Sequence, residues 1–234
     1  MDPLTIIQLS KCINLIYLHR IQYETRVGGK VNMQKSSFTV KRMSTLALLI
    51  AIILVMSFTP LGYLQIGPLS MSLLTIPVAI GAITMGPVDG LILGLVFGCT
   101  SLFNAMSGSS AMGSAMFSIS PFGCFVVCVV ARALMGLCTG LIFQGLSKVN
   151  LNKEKVNFAI SGLAAAFLNT LFFMGSLCIF FYGSDYVQGL VSALNVSNPI
   201  MFIIVLVGFQ GVMEMVLCCV VSTAVSVPLS KITK

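Results

Sequence analysis

Hydrophobic residues come in long blocks along this chain, and the polar residues between the blocks are few and clustered. From residue 43 onward six apolar blocks recur, at about Met43–Phe58, Ser70–Met85, Val88–Ala105, Ile119–Ser147, Val156–Tyr182 and Pro199–Val227. A helix crosses a bilayer with roughly 20 apolar residues, so the pattern predicts six membrane spans. The stretch from Phe58 to Ser101, FTPLGYLQIGPLSMSLLTIPVAIGAITMGPVDGLILGLVFGCTS, organises the rest. It is almost wholly apolar, yet Pro60, Pro68, Pro77 and Pro87 interrupt it. A membrane bundle tolerates such breakers, because neighbouring helices satisfy freed backbone groups and glycines admit close approach. We expect a structured loop over Leu61–Leu69, a second span kinked at Pro77 and a tight turn at Gly86-Pro87. In the third span Gly90, Gly94 and Gly98 stand at i, i+4 and i+8, one stripe for close contact. Gly136 and Gly140 repeat that spacing in the fourth. Ser107–Ser118 and Ser184–Asn198 read as polar loops.

Composition removes the soluble alternatives. Of 234 residues 57% are hydrophobic and 8% charged, with mean hydropathy +1.04, where globular proteins carry roughly 25% charged residues. The fold class is an all-α membrane protein, a six-helix bundle over residues 43–231 behind an N-terminal leader of residues 1–42. The net charge of +7 follows topology. Lys35, Lys41 and Arg42 precede the first span, Lys148, Lys153 and Lys155 lie between the fourth and fifth, and Lys231 and Lys234 close the chain. The positive-inside rule puts these flanks and both termini in the cytoplasm of a multi-pass cell-membrane protein. Basic residues so placed serve topology and anionic lipid, and no nucleic-acid partner is expected. Residues 1–32 admit two readings. Leu4–Tyr17 suits an interfacial amphipathic helix. Alternatively, Gly28-Gly29-Lys30 is what a purine-rich ribosome-binding sequence would encode if read through, with Met33 as the natural start.

Candidate chemistry is sparse. Seven of the eight cysteines fall in apolar spans. Cys124 and Cys128 share a helix face, but no histidine or carboxylate stands near to complete a metal site, so neither a metal nor a disulfide framework is expected. His19, the only histidine, precedes every span. There is no nucleotide-binding glycine loop with its lysine and no Gly-x-Ser-x-Gly, so no catalytic residue is assigned and the chain is not read as an enzyme. Charge inside a span costs roughly 2.5–3.5 kcal/mol unless paired or hydrated. Two such residues fall near the middle of their spans, Arg132 in the fourth and Glu214 in the sixth. Two readings, which can coexist, are that they pair with each other and that Arg132 binds an anionic ligand group through its guanidinium fork while Glu214 shapes or balances the pocket. Asn169 in the fifth span and Gln210 in the sixth join them as amides that need partners. Asn104 and Tyr63 lie at the outer mouth. Asp89, opening the third span, reads as a helix cap.

The runs TPLGYLQIGPLS, LLTIPVAIGAITMGPVDGLILGLVFGCTSL and ARALMGLCTGLIF, followed by Asn169-Thr170, resemble the S components of energy-coupling factor (ECF) vitamin transporters, most of all the pantothenate-type members. The resemblance runs from about Met43 to Lys231. It implies a six-helix subunit that binds a vitamin at the outer face and docks on a membrane coupling (T) subunit driven by two cytoplasmic ATPases. On this resemblance the chain binds no cofactor of its own, ATP being used by the partners. Ala47 and Ala51 match the small-residue motif that meets the coupling subunit. Arg132 and Asn169 match ligand-site positions. The chain departs from the pattern before Arg132, where CVVA stands in place of a Leu-Pro step. A competing reading is an autonomous ion-coupled secondary transporter of a small organic anion, but that calls for coupling acids and an inverted repeat, and Glu214 is the only acid deep in a span.

Overall fold

The computed structural model describes residues 33–59, 62–66, 69–149, 154–193 and 199–233. The readings of the leader over residues 1–32, His19 included, and of Pro60 and Pro68 lie outside them. The chain divides into two units, Met1–Lys41 and Arg42–Lys234. Of the first, the described part is the opening of helix α1 (Met33–Phe58). The second holds the rest of α1 and a hairpin of β1 (Tyr63–Ile66) and β2 (Leu69–Ser72). Then come α2 (Thr75–Met85), α3 (Pro87–Met106), α4 (Ala111–Ile119), α5 (Pro121–Val149), α6 (Glu154–Phe181), α7 (Asp185–Ala193) and α8 (Pro199–Thr233).

The fold is helical and suits a membrane. By length and composition α3, α5 and residues Val156–Phe181 of α6 can each cross a bilayer, and Arg42–Phe58, Thr75–Met85 and Gly211–Ser226 are shorter apolar helical stretches. Large apolar side chains such as Leu48, Val55, Phe167, Leu171 and Val220 face outward, as lipid-facing positions do.

Glycine sets the spacing at the centre. The expected stripe of α3 lies against the backbone of α5. A Cβ on Gly90 would meet the Gly136 carbonyl at 2.5 Å, one on Gly94 would meet the Arg132 carbonyl, and one on Gly98 would come within 2.7 Å of Val129 Cα. Such contact brings main chains together, which is how membrane helices associate without a hydrophobic drive between them. At the turn between α2 and α3, Gly86 adopts φ 107°, a region L-residues avoid. Pro87 follows at the first helical position, where its missing N–H costs nothing.

Four expectations need correction. The loop over Leu61–Leu69 is a β-hairpin reaching Ser72, in register Tyr63↔Ser72 and Ile66↔Leu69, one small sheet in a fold that is otherwise all-α. Pro77 does not kink α2: the helix starts at Thr75, so the proline sits in the first turn, where no intrahelical donor is needed. Ser107–Ser118 is mostly helix α4. Its N-cap Ser110 accepts a hydrogen bond from Gly113 N at 3.2 Å, and Ser120 caps α5 the same way through Gly123 N at 3.2 Å. Ser184–Asn198 contains helix α7. Met116 of α4 and Val187 and Val191 of α7 join one apolar cluster with Val127, Met174, Leu177 and Phe181.

Asp89 lies in the first turn of α3, where the helix dipole favours an anion, and its buried carboxylate also takes Arg42 of α1. Arg42 Nε donates to Asp89 Oδ2 at 2.7 Å, and Nη2 donates to the same oxygen and to the Met85 carbonyl at 3.1 Å. This pair clamps α1 to the α2–α3 turn at the end of the bundle opposite the hairpin.

Candidate functional site

The site begins with a defect in a helix. Residues Val126–Val130 of α5 form a π-helical turn, flanked by α-helix on both sides. A π turn shifts backbone pairing by one residue and is common where function needs a carbonyl redirected. Arg132 sits just after it. Its Nη1 donates to the carbonyls of Val127 at 3.0 Å and Cys128 at 3.3 Å. Those two bonds fix one end of the guanidinium with main-chain oxygen. The turn occupies the segment before Arg132 where the sequence lacks the Leu-Pro step. A proline there would also have left a carbonyl without its usual donor.

Two rings hold the guanidinium plane. The Phe97 centroid on α3 lies 4.6 Å from Arg132 Cζ, and that of Phe173 on α6 lies 5.1 Å away, both within cation–π range. Arg132 is only 6% exposed. Its Nε is buried without a hydrogen-bond partner, and no hydrogen bond of Nη2 is formed among the described residues. The edge formed by Nε and Nη2 is therefore unspent, and that edge takes a carboxylate side-on with two parallel bonds. Among the described residues no ion pair joins Arg132 to Glu214, so the two do not neutralise each other by contact.

Glu214 belongs to a separate polar knot. Its Oε1 accepts from Thr75 Oγ1 at 2.8 Å and from Asn169 Nδ2 at 3.0 Å. Helices α2, α6 and α8 are thereby joined through three buried side chains. Asn169 Oδ1 is buried and unpaired. Thr75 Oγ1 also lies 3.3 Å from the carbonyl of Ser72, the residue that ends the hairpin. Across that hairpin stands Tyr63, whose hydroxyl is buried without a partner. Buried polar atoms normally find partners. Buried hydroxyls of Ser57, Ser72, Ser161, Ser222 and Ser226 also lack partners, while the unpaired atoms on Arg132, Asn169 and Tyr63 belong to residues that the sequence had singled out for the site.

The structure thus joins Asn169 and Glu214 directly and links Tyr63 to them through the hairpin and Thr75. Asn104 is not part of this network. Its Nδ2 donates to the Ser57 carbonyl at 3.3 Å and ties α3 to α1. Gln210 lies on α8, but its side chain is outside the described residues. Thr75, Phe97 and Phe173 were missed. A lone threonine after a leucine pair and two phenylalanines in apolar helices carry no signal of their own until Arg132 and Glu214 are placed. Among the described residues no three potential metal ligands gather.

A family model for the ECF transporter substrate-specific component matches residues 41–226. The chain belongs to this family. It is similar to the curated pantothenate transporter PanT of Leuconostoc mesenteroides subsp. mesenteroides, 28% identical over 172 residues that cover 71% of this chain and 80% of the relative. As a substrate-specific ECF component it is a transport protein and not an enzyme. Members of the family generally work with T and ATPase subunits. Ala47 and Ala51 both lie on the exposed side of α1, one turn apart and free of the bundle's own packing.

Proposed function

We propose that this substrate-specific component captures pantothenate at the outer face of the cell membrane for ATP-driven uptake. The observation that carries the reading is the unspent Nε/Nη2 edge of Arg132, buried between Phe97 and Phe173. A buried guanidinium whose other end is already fixed by main-chain carbonyls presents a preorganised fork to a carboxylate. Pantothenate carries one carboxylate, an amide and hydroxyls. The Thr75–Glu214–Asn169 knot and Tyr63 offer acceptors and donors for the hydroxyl and amide end. The phenylalanine rings suit the carbon skeleton between. The likeness to a pantothenate transporter supports this choice of ligand.

In the same reading the chain crosses the membrane six times with both termini in the cytoplasm. It docks through the Ala47–Ala51 face on a T subunit carrying two ATPases, which consume the ATP. The basic residues at the predicted inner flanks and the exposure of that face support this arrangement. Equilibrium binding to the purified protein, with radiolabelled pantothenate against a neutral vitamin, tests the ligand. Saturable pantothenate binding with no binding of the neutral vitamin is expected, and the reverse preference would overturn it. Uptake by the protein alone in liposomes, driven by an ion gradient, would replace the ATP-dependent reading with an autonomous transporter.

A further inference from the structure

Beside the arginine, at and just before the π turn, stands a pair of thiols that ligand capture does not use. Cys124 Sγ and Cys128 Sγ are 3.9 Å apart, and both residues are buried, at 0% and 3% exposure. A disulfide needs about 2.05 Å between sulfurs, so these are two free thiols in contact. Cys124 Sγ also lies 4.0 Å from the Gly113 carbonyl of α4. With no third ligand gathered among the described residues, the four-coordinate sites that zinc prefers are not formed. Two thiolates alone suit a soft ion content with two sulfur ligands.

We propose that Cys124 and Cys128 form a two-coordinate site for a monovalent soft cation of the copper(I) or silver(I) class, and that filling it switches off the ligand site. Binding is a proton exchange: two S–H bonds break, two metal–sulfur bonds form, and two protons leave to solvent. No electron moves. The product, two thiolates and one monovalent ion, carries a net charge of −1. The Arg132 guanidinium, bonded to the Cys128 carbonyl, supplies the compensating positive charge. A divalent soft ion would leave that product neutral and gain nothing from the arginine.

Coupling follows from position. Cys128 lies within the π turn and Cys124 just before it. An ion drawn between the sulfurs moves the turn that holds the Val127 and Cys128 carbonyls, and those carbonyls fix Arg132. The compensating charge is moreover spent on the thiolate pair rather than on a ligand carboxylate. This second half rests on the pantothenate reading, whereas the ion site itself does not.

The test uses silver(I) on the whole purified protein with excess glutathione as a one-thiol competitor. Native mass spectrometry is expected to retain one silver ion on the unaltered protein and on a Cys218→Ser/Cys219→Ser control, and none on Cys124→Ser or Cys128→Ser. Equal retention by all four proteins would overturn the site. In the unaltered protein without silver, prolonged exposure to N-ethylmaleimide is expected to label the buried Cys124 and Cys128 through transient opening, and retained silver is expected to suppress that labelling while Cys99 still reacts. Labelling of the pair despite bound silver would also overturn it, whether or not the serine variants fold. One equivalent of silver is then expected to abolish pantothenate binding to the unaltered protein and leave Cys124→Ser unchanged. Silver retained with binding intact would overturn the coupling. Failure to bind pantothenate before any silver is added would count against the proposed ligand, with the ion site still judged by retention and labelling.

Discussion

A single methyl group placed at Gly94 tests how the bundle centre holds Arg132. Gly94 lies against α5 so closely that a Cβ would collide with the Arg132 carbonyl and sit 3.0 Å from Ala133 Cα. Both obstacles are main chain, so no side chain can swing aside, and α3 and α5 must part. Overpacking of this kind costs about 1–3 kcal/mol, which for a chain of this size lowers the melting temperature by roughly 2–4 °C per kcal/mol. Gly145 supplies the matched control. It lies in the same helix as Arg132, and a Cβ there would meet nothing within 4 Å. Gly145→Ala is expected to stabilise by about 0.5–1 kcal/mol through lost unfolded-state freedom. Thermal unfolding of both variants in one detergent reads the two signs. Well below the melting temperature, Gly94→Ala is further expected to weaken pantothenate binding by roughly tenfold, about 1.4 kcal/mol, because the displaced segment carries Arg132. Equal melting temperatures for Gly94→Ala and the unaltered protein would refute the close-contact argument. Lower stability with unchanged affinity would refute the link to the arginine.

Other substitutions separate the remaining parts. Glu214→Ala strands Asn169 Nδ2 in a buried place and leaves Thr75 Oγ1 only the Ser72 carbonyl at 3.3 Å, a loss of about 1–3 kcal/mol, whereas Glu214→Gln keeps an acceptor oxygen and is expected to recover most of it in thermal unfolding. If the two variants melt alike, the knot does not hold α2, α6 and α8 together. Arg42→Gln removes the guanidinium from the buried Asp89 carboxylate and is expected to cost up to about 3 kcal/mol, discounted because the Arg42 side chain is 30% exposed. The paired change Arg42→Gln with Asp89→Asn should restore part of that loss, and a strictly additive double variant would show that the clamp contributes nothing. Tyr63→Phe deletes a buried unpaired hydroxyl, so it is expected to leave stability unchanged or slightly raised while lowering affinity for the ligand. Unaltered affinity in calorimetry would remove Tyr63 from the site.

Much of the scaffold could be read from one-dimensional pattern. Apolar length located the longer helices, and the four-residue glycine spacing marked the close-contact faces of α3 and α5 without naming them as partners, because period alone decides which residues share a helix face. The cost of charge in hydrocarbon singled out Arg132 and Glu214. What escaped the sequence has physical reasons. The π turn falls within Val126–Val130, VVCVV, where uniform apolar side chains leave no mark of how the backbone is paired. Helices α4 and α7 are short, and their serines and glycines read as loop. The apolar steps Met112–Met116 and Val187–Val191 at i, i+4 and the capping position of Ser110 were the available signals. The hairpin hid inside a stretch read for its prolines, although two four-residue runs separated by two residues are a hairpin spacing. Whether Arg132 and Glu214 pair depends on side-chain direction across helices α5 and α8, which spacing along the chain does not encode.

Ligand capture in this protein rests on the unspent edge of Arg132. Its most direct test compares pantothenate with its primary-alcohol analogue, the carboxylate reduced to CH2OH, by equilibrium binding to the unaltered protein and to Arg132→Gln. The unaltered protein is expected to prefer pantothenate by roughly thirtyfold to 150-fold, the 2–3 kcal/mol of a charge-assisted pair. Arg132→Gln is expected to lose that preference while the alcohol binds both proteins with similar affinity. A folded Arg132→Gln protein that still prefers pantothenate as strongly as the unaltered one would contradict the account.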